Sequence, residues 1–416
     1  MEKKDVLLIV NYWHFENERA SSRYRSFADV ICKTFDLEVI TSTFCHLKKS
    51  QRIQDELDLG KLPYKVTMRY EKGYSKNISL RRISSYTQFG KNVLKYLKTR
   101  KKPDCIIVSV PSLAVADYVT KFAKDNNIPL IVDIQDLWPE AFKMALNIPI
   151  VSNILFYPMK KQAERIYSRA DEITAVSDTY RDLGCKYNAK CSGLSIYIGT
   201  DSKLMKEKIS GIEISKPKNE FWVGYVGALG HSYDIKNVIL ALEKIAHTGI
   251  TNIVFKVMGE GVLRKDFEKF AIEHKVNCEF YGLVEYGKMM KILMSCDVAV
   301  NPIIGKSVST IINKVSDYAA AGVPVVNTQN SQEYRMLIKK YNAGINAETE
   351  NADSIADALL ELYQNPDKRQ KMGINQKKLF EERFDRAKTY TEIINVIDNL
   401  IITKRGEQIE SVDYKP

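Results

Sequence analysis

The stretch SVSTIINKVSD, residues 307–317, gathers hydroxyls, an amide, a cation and an acid. Ser307, Ser309, Thr310, Asn313 and Lys314 precede a run that predicts a helix from about Val315, with Asp317 in its first turn. A helix start exposes free backbone N–H groups and partial positive charge, and Lys314 adds a full charge; together they suit a diphosphate. The next residues, Tyr318 to Ala321, are small on most sides, so something must approach them closely. Upstream, YVGALGHSYDIKN (225–237) carries Gly227, Gly230 and Lys236, and VMGEGVLR (257–264) carries Gly259 and Gly261. Glycines there let a ligand come near the backbone, although a plain turn accounts for a GxG equally well. In the first half, DIQDLWP (133–139) places Asp133 and Asp136 beside a tryptophan. Arg19, Arg23 and Arg25 follow the first apolar run as candidates for an anionic partner.

Several other chemistries are set aside. GLVEYGKM (282–289) has the phosphate-loop spacing GxxxxGK, but Met289 stands where a magnesium-binding hydroxyl is needed. No HExxH and no DxD pair occurs, and the seven cysteines form no CxxC, so no metal is expected.

The elements that position these residues alternate between strand and helix. DVLLIV (5–10), LEVITS (37–42), CIIVSV (105–110), PLIVDI (129–134) and EITAVS (172–177) read as buried strands. Helices are expected near 22–34, 82–99, 113–126 and 158–170. A looser stretch, 200–220, serves as linker. The alternation then restarts with WVGYVG, IVFKVMG, CEFYG, VAVNPI and VPVVNT, and a last helix spans about 385–402. This is the pattern of two Rossmann-like α/β units in series. Their ligands are expected in loops beyond the carboxyl ends of the strands.

A chain of 416 residues with 45% hydrophobic and 27% charged residues is long enough for two well-packed domains. No stretch of about eighteen apolar residues and no signal core is found, and the cysteine usage fits a reducing cytoplasm. The net charge of +11 is concentrated: residues 61–102 hold thirteen Lys or Arg against one acid, Glu71. Without an aromatic-basic repeat, nucleic acid is not the expected partner; an anionic membrane surface or phosphorylated acceptor is. Within this window Ile83, Tyr86, Val93, Leu94 and Leu97 fall near one helical face among basic residues, the pattern of an interfacial helix. The same stripe would equally well pack on a sheet.

NKVSDYAAAGVPVV, together with YVGALG, VMGEGVLR and EFYGLVEYGKMMKILMSCDVAVNPI in that order, resembles the donor-side half of family 4 retaining glycosyltransferases with the GT-B fold. KPDCIIVSVPSL and VDIQDLWPEA are similar to segments of bacterial members that build surface polysaccharides. The resemblance implies two Rossmann-like domains facing a cleft: 1–200 on the acceptor side, 201–384 on the nucleotide-sugar side, and a 385–416 helix and tail crossing back to the first. It implies transfer from a nucleoside-diphosphate sugar, UDP ahead of GDP, to a glycan or polyprenyl-linked acceptor at the inner membrane face, without cofactor or metal. Asp317 then stands where a glutamate usually holds the ribose. Ser309 replaces the acid eight residues earlier that contacts the donor sugar, and the arginine often found near Ala228 is missing. Lys236 and Lys314 would neutralise the leaving diphosphate, with Asp136 also in a catalytic role. Gly282, Leu283 and Val284 would lie near the base, with Gly227, Gly230, Gly259, Gly261, Thr310 and Asn313 around the donor. Arg19, Arg23, Arg25 and Asp133 would face the acceptor. A nucleotide-sugar epimerase and a degenerate binding protein are the alternatives; only the transferase needs an acceptor for turnover.

Overall fold

The structure, a computed structural model, describes residues 3–18, 22–53, 57, 59–77, 79–139, 156–305 and 311–413. Arg19, Ser307, Ser309 and Thr310 lie outside the described residues. The backbone divides into two compact units: Met1–Tyr197 with Tyr390–Pro416, and Ile198–Thr389.

The strands of unit 1 are β1 (Asp5–Ile9), β2 (Asp36–Ser42), β3 (Lys65–Arg69), β4 (Cys105–Val110), β5 (Leu130–Ile134), β6 (Glu172–Ala175) and β7 (Leu194–Ser195). They form one parallel sheet in the order β3-β2-β1-β4-β5-β6-β7. All six residues of β4 are buried, as a strand with helices over both faces requires. The helix Glu392–Asp413 belongs to this unit. Its Ile393, Ile397 and Ile401 join Phe27, Ile31 and the β1 side chains in one apolar cluster.

Unit 2 repeats the design with β8 (Phe221–Val226), β9 (Ile253–Met258), β10 (Cys278–Gly282), β11 (Val298–Asn301), β12 (Val325–Asn327) and β13 (Gly344–Asn346). All neighbours are parallel, in the order β10-β9-β8-β11-β12-β13. In each sheet the chain reverses its direction of growth once, between β1 and β4 and between β8 and β11. The crevice beyond the strand ends at such a switch point is where open α/β sheets hold ligands.

Two readings change. The stretch 200–220 contains the helix Ser202–Ile209, started by the Asp201 carboxylate, which accepts from the Lys203 and Leu204 N–H groups. The helix in the basic window, Leu80–Leu97, buries Tyr86, Phe89, Val93 and Leu97 in unit 1. Its apolar stripe is therefore core, not a membrane-facing surface, while Leu80, Arg81, Ile83, Lys91, Lys95 and Lys98 are exposed. No helix among the described residues is long and apolar enough to cross a membrane.

Candidate functional site

The helix Lys314–Ala321 is held at the unit 2 switch point by one phenol. Tyr318, fully buried, accepts from the Val226 N–H at 3.2 Å and donates to the Val300 carbonyl at 3.1 Å, touching the ends of both β8 and β11. The small residues behind it have a matching cause. Gly322 ends the helix in the left-handed region at φ 72°, and helix Pro366–Leu379 lies so close that a Cβ on Gly373 would stand 2.6 Å from the Gly322 carbonyl oxygen.

This anchoring delivers Lys314 to the loop after β8. Its ammonium lies 3.9 Å from the centre of the Tyr233 ring and 4.8 Å from that of Tyr225, and donates to the Tyr225 hydroxyl at 3.3 Å. Among the described residues no carboxylate pairs with it, and burial pulls its pKa down to about 7. Gly227 lies directly beneath. It has φ 149°, and a Cβ there would collide with the Lys314 Nζ and stand 2.9 Å from the Tyr225 hydroxyl. Gly259 and Gly261 are needed for another reason: a Cβ on either would run into the backbone carbonyl of Gly227 or Leu229. The loops after β8 and β9 are zipped together by Gly227 N–H to Met258 carbonyl and Leu229 N–H to Glu260 carbonyl bonds. Gly230 meets only open space and is not required sterically.

Asp317, one turn along, is half-buried, and burial raises its pKa while nearby Arg386 opposes the rise. It accepts from the Thr200 hydroxyl at 2.7 Å and the Tyr286 hydroxyl at 3.3 Å, both on Oδ1; Oδ2 accepts from none of the described residues. A carboxylate with one oxygen fixed and one available is suited to a ligand hydroxyl. Gly282 sits at φ 70° with its absent Cβ facing Arg264, while Leu283 is 86% exposed and Val284 half-buried at the same edge. Asn313 is exposed at the helix start, and its carbonyl accepts from Ser316 Oγ at 2.7 Å. Lys236 is exposed with its ammonium over the Phe270 ring at 5.1 Å, so it shares no partner with Lys314. The tyrosine box around Lys314 and the Thr200 and Tyr286 bonds to Asp317 were not anticipated. Tyr225, Tyr233 and Tyr286 lie inside the quoted motifs, but nothing in those motifs pairs them with Lys314 or Asp317.

In unit 1 two expected acceptor-side residues satisfy each other. Arg23 and Asp133, 3% and 0% exposed, form a buried bidentate pair at 2.8 and 3.2 Å; Thr174 donates to the same carboxylate at 2.7 Å. A charge taken so far from water persists only when paired, and this pair ties the start of helix Arg23–Ile31 to β5 rather than facing a ligand. Arg25 is half-buried. Asp136 is also half-buried, with its pKa raised by burial against the pull of a bond from Trp138 and the charge of Arg82. Arg82, one of the cations of the basic window, lies 4.5 Å over the Trp138 ring and donates to the Tyr86 hydroxyl at 2.7 Å and the Tyr12 hydroxyl at 2.5 Å.

Comparison with known proteins places this geometry. Along 95% of this chain and all of the other, the structure is similar to that of HepE from Anabaena in complex with UDP, with a TM-score of 0.65 at 14% identity. It is similar too to an α,α-trehalose 6-phosphate synthase from Burkholderia multivorans, TM-score 0.68 at 10% identity, covering 98% and 99%. The fold is GT-B. Residues 208–379 of this GT-B chain, all within unit 2, match the family model of glycosyl transferases group 1. A curated relative, an uncharacterized glycosyltransferase of Methanocaldococcus jannaschii, is 25% identical over 177 residues, 42% of this chain. The match spans about half, 47%, of that relative's length.

Proposed function

We propose that this chain is a retaining, metal-independent glycosyltransferase of family 4 that moves a hexosyl unit from a UDP-sugar to a glycan or polyprenyl-linked acceptor in bacterial surface polysaccharide assembly. The observation that carries this reading is Lys314, a half-buried cation with no carboxylate partner among the described residues, held over Gly227 at the unit 2 switch point. The UDP held by the similar Anabaena protein and the group 1 family match support the donor class.

In the proposed reaction the bond from the anomeric carbon to the diphosphate breaks, and the acceptor oxygen bonds to that carbon on the same face. The leaving diphosphate gains negative charge as it departs. Lys314 opposes that charge from a fixed position in a poorly hydrated site, where no reorganisation is needed. The acceptor proton passes to a phosphate oxygen of the donor, so no separate base is required. Asp317 Oδ2 takes a ribose hydroxyl, and the exposed Leu283 with Val284 borders the base. Lys236 contributes at longer range, and Ser309 with Thr310 contacts the sugar. The outward cations of residues 61–102 hold the enzyme to the inner face of an anionic membrane, at about 1 kcal/mol per Lys or Arg near the lipid. The test is turnover of a nucleotide-sugar panel with and without acceptor glycolipid, in EDTA. Acceptor-dependent release of UDP is expected. Release needing a divalent cation, or conversion of the sugar without acceptor, contradicts the proposal.

A further inference from the structure

The unit 1 switch point is bordered by a feature that none of the motifs accounts for. After β2 the chain makes a small antiparallel hairpin, Phe44–Cys45 with Ser50–Gln51. Its turn residue Lys49 adopts φ 56°, a left-handed conformation that residues with a Cβ rarely take. In that conformation the Lys49 ammonium donates to Asn77 Oδ1 at 2.7 Å and lies 4.3 Å from the centre of the Tyr74 ring. Arg82 reaches the same two residues from helix Leu80–Leu97. Its Nη1 donates to the Asn77 carbonyl at 2.6 Å, and its guanidinium carbon is 5.3 Å from the Tyr74 ring centre. Two cations thus converge on one asparagine and one aromatic ring. Burial, and then the charge of Arg82, lower the pKa of Lys49.

Among the described residues no carboxylate neutralises the pair: Glu71 and Asp136 act on Lys49 and Arg82 only through space, and neither forms an ion pair with them. Glu71 is fully buried, accepts from Ser85 Oγ at 2.6 Å and faces His46 Nε2 at 3.4 Å. His46 in turn fixes Tyr74 through a 3.1 Å hydrogen bond between Nδ1 and the phenol, and burial lowers the histidine's pKa. The rest of the rim is basic: Lys48, Lys72, Lys76 and Arg81 are all exposed. Like charges held on one asparagine, without a carboxylate ion-paired to them among the described residues, fit a phosphate.

We propose that Lys49 and Arg82, joined through Asn77 over the Tyr74 ring, form a phosphate site in unit 1 that binds the phosphate ester of a lipid-linked acceptor. The acceptor identity rests on the glycosyltransferase reading; the phosphate site itself rests on these residues alone. Bringing one phosphate against the two cations relieves their repulsion.

The test is calorimetric titration of the full chain with farnesyl phosphate, with farnesol and with inorganic phosphate. Farnesyl phosphate is expected to bind in a salt-sensitive way and to lose about tenfold or more in affinity in Lys49→Gln and in Arg82→Gln, the loss of one charge-assisted contact. Lys49→Gln carries the test if Arg82→Gln, which also releases Tyr12 and Tyr86, fails to fold. Lys314→Gln is expected to leave this binding unchanged. Equal binding of farnesol, or a loss confined to Lys314→Gln, overturns the proposal. Inorganic phosphate binding as tightly as the ester keeps the anion site and overturns the lipid-linked source. Farnesyl phosphate binding through Lys49 in a chain that binds no nucleotide sugar would contradict the donor reading while leaving this site standing.

Discussion

The pH dependence of donor binding follows directly from the burial of Lys314. In the free chain its pKa is lowered to about 7, because the ammonium is desolvated between Tyr225 and Tyr233 with no carboxylate among the described residues to stabilise it. A diphosphate brought against it restores the charged form and raises the pKa toward the ordinary lysine value. Binding therefore takes up a proton above pH 7, and affinity must fall as the free lysine loses its charge. With these limits the protonated fraction of the free chain drops from about nine-tenths at pH 6 to a few hundredths at pH 8.5, so the affinity for UDP-glucose should weaken about 30-fold. UDP-glucose suits the measurement because its diphosphate, esterified at both ends, has no proton to lose in this interval. Calorimetry in buffers of different ionisation enthalpy should show uptake approaching one proton near pH 8.5. In Lys314→Gln the pH slope and the uptake should both vanish. A wild-type affinity that stays level from about pH 6 to about pH 8.5, or a slope that survives in Lys314→Gln, would refute the assignment of the diphosphate to this lysine.

Asp317→Asn should weaken UDP binding by roughly 1.5 to 3 kcal/mol, the worth of a hydrogen bond to an ionised group, with little change in melting temperature; unchanged affinity would assign Asp317 to holding Thr200 and Tyr286. Gly227→Ala should lose nucleotide binding as Lys314 does, since a Cβ at φ 149° costs about 1 to 3 kcal/mol and displaces the ammonium; wild-type affinity in this variant would show that Nζ moves freely. Sedimentation with vesicles should show salt-sensitive binding to anionic but not neutral lipid, reduced when the exposed Arg81, Lys98, Lys101 and Lys102 become glutamate. Arg82 is left in place there because its guanidinium holds Tyr12 and Tyr86. Equal partitioning of wild type and variant would make the patch a solubility feature.

The strands that are long apolar runs, such as Cys105–Val110 and Phe221–Val226, were legible because burial on both faces leaves no room for polar residues. Lys65–Arg69 was not: it is an edge strand of half-exposed and exposed residues inside a basic window, and reads as loop. The helix Ser202–Ile209 buries only Met205, so its periodicity is weak. At the site, Lys314 and Asp317 stood out because one short helix carries both. Their partners did not, since Thr200 lies 117 residues from Asp317 and Tyr225 lies 89 from Lys314. The buried Arg23–Asp133 pair shows the opposite hazard. Each residue alone looked like a ligand contact, and only the fold, which closes a separation of 110 residues, reveals that they neutralise each other. The stripe of Tyr86, Val93 and Leu97 shows why an amphipathic pattern alone does not choose between sheet and membrane.

The most direct test of the central claim is a crystal structure of the chain with UDP. The diphosphate should lie within about 3.2 Å of Lys314 Nζ above Gly227, with a ribose hydroxyl bonded to Asp317 Oδ2. Nucleotide bound elsewhere, or a diphosphate there that leaves Lys314 between Tyr225 and Tyr233 without touching it, would contradict the account.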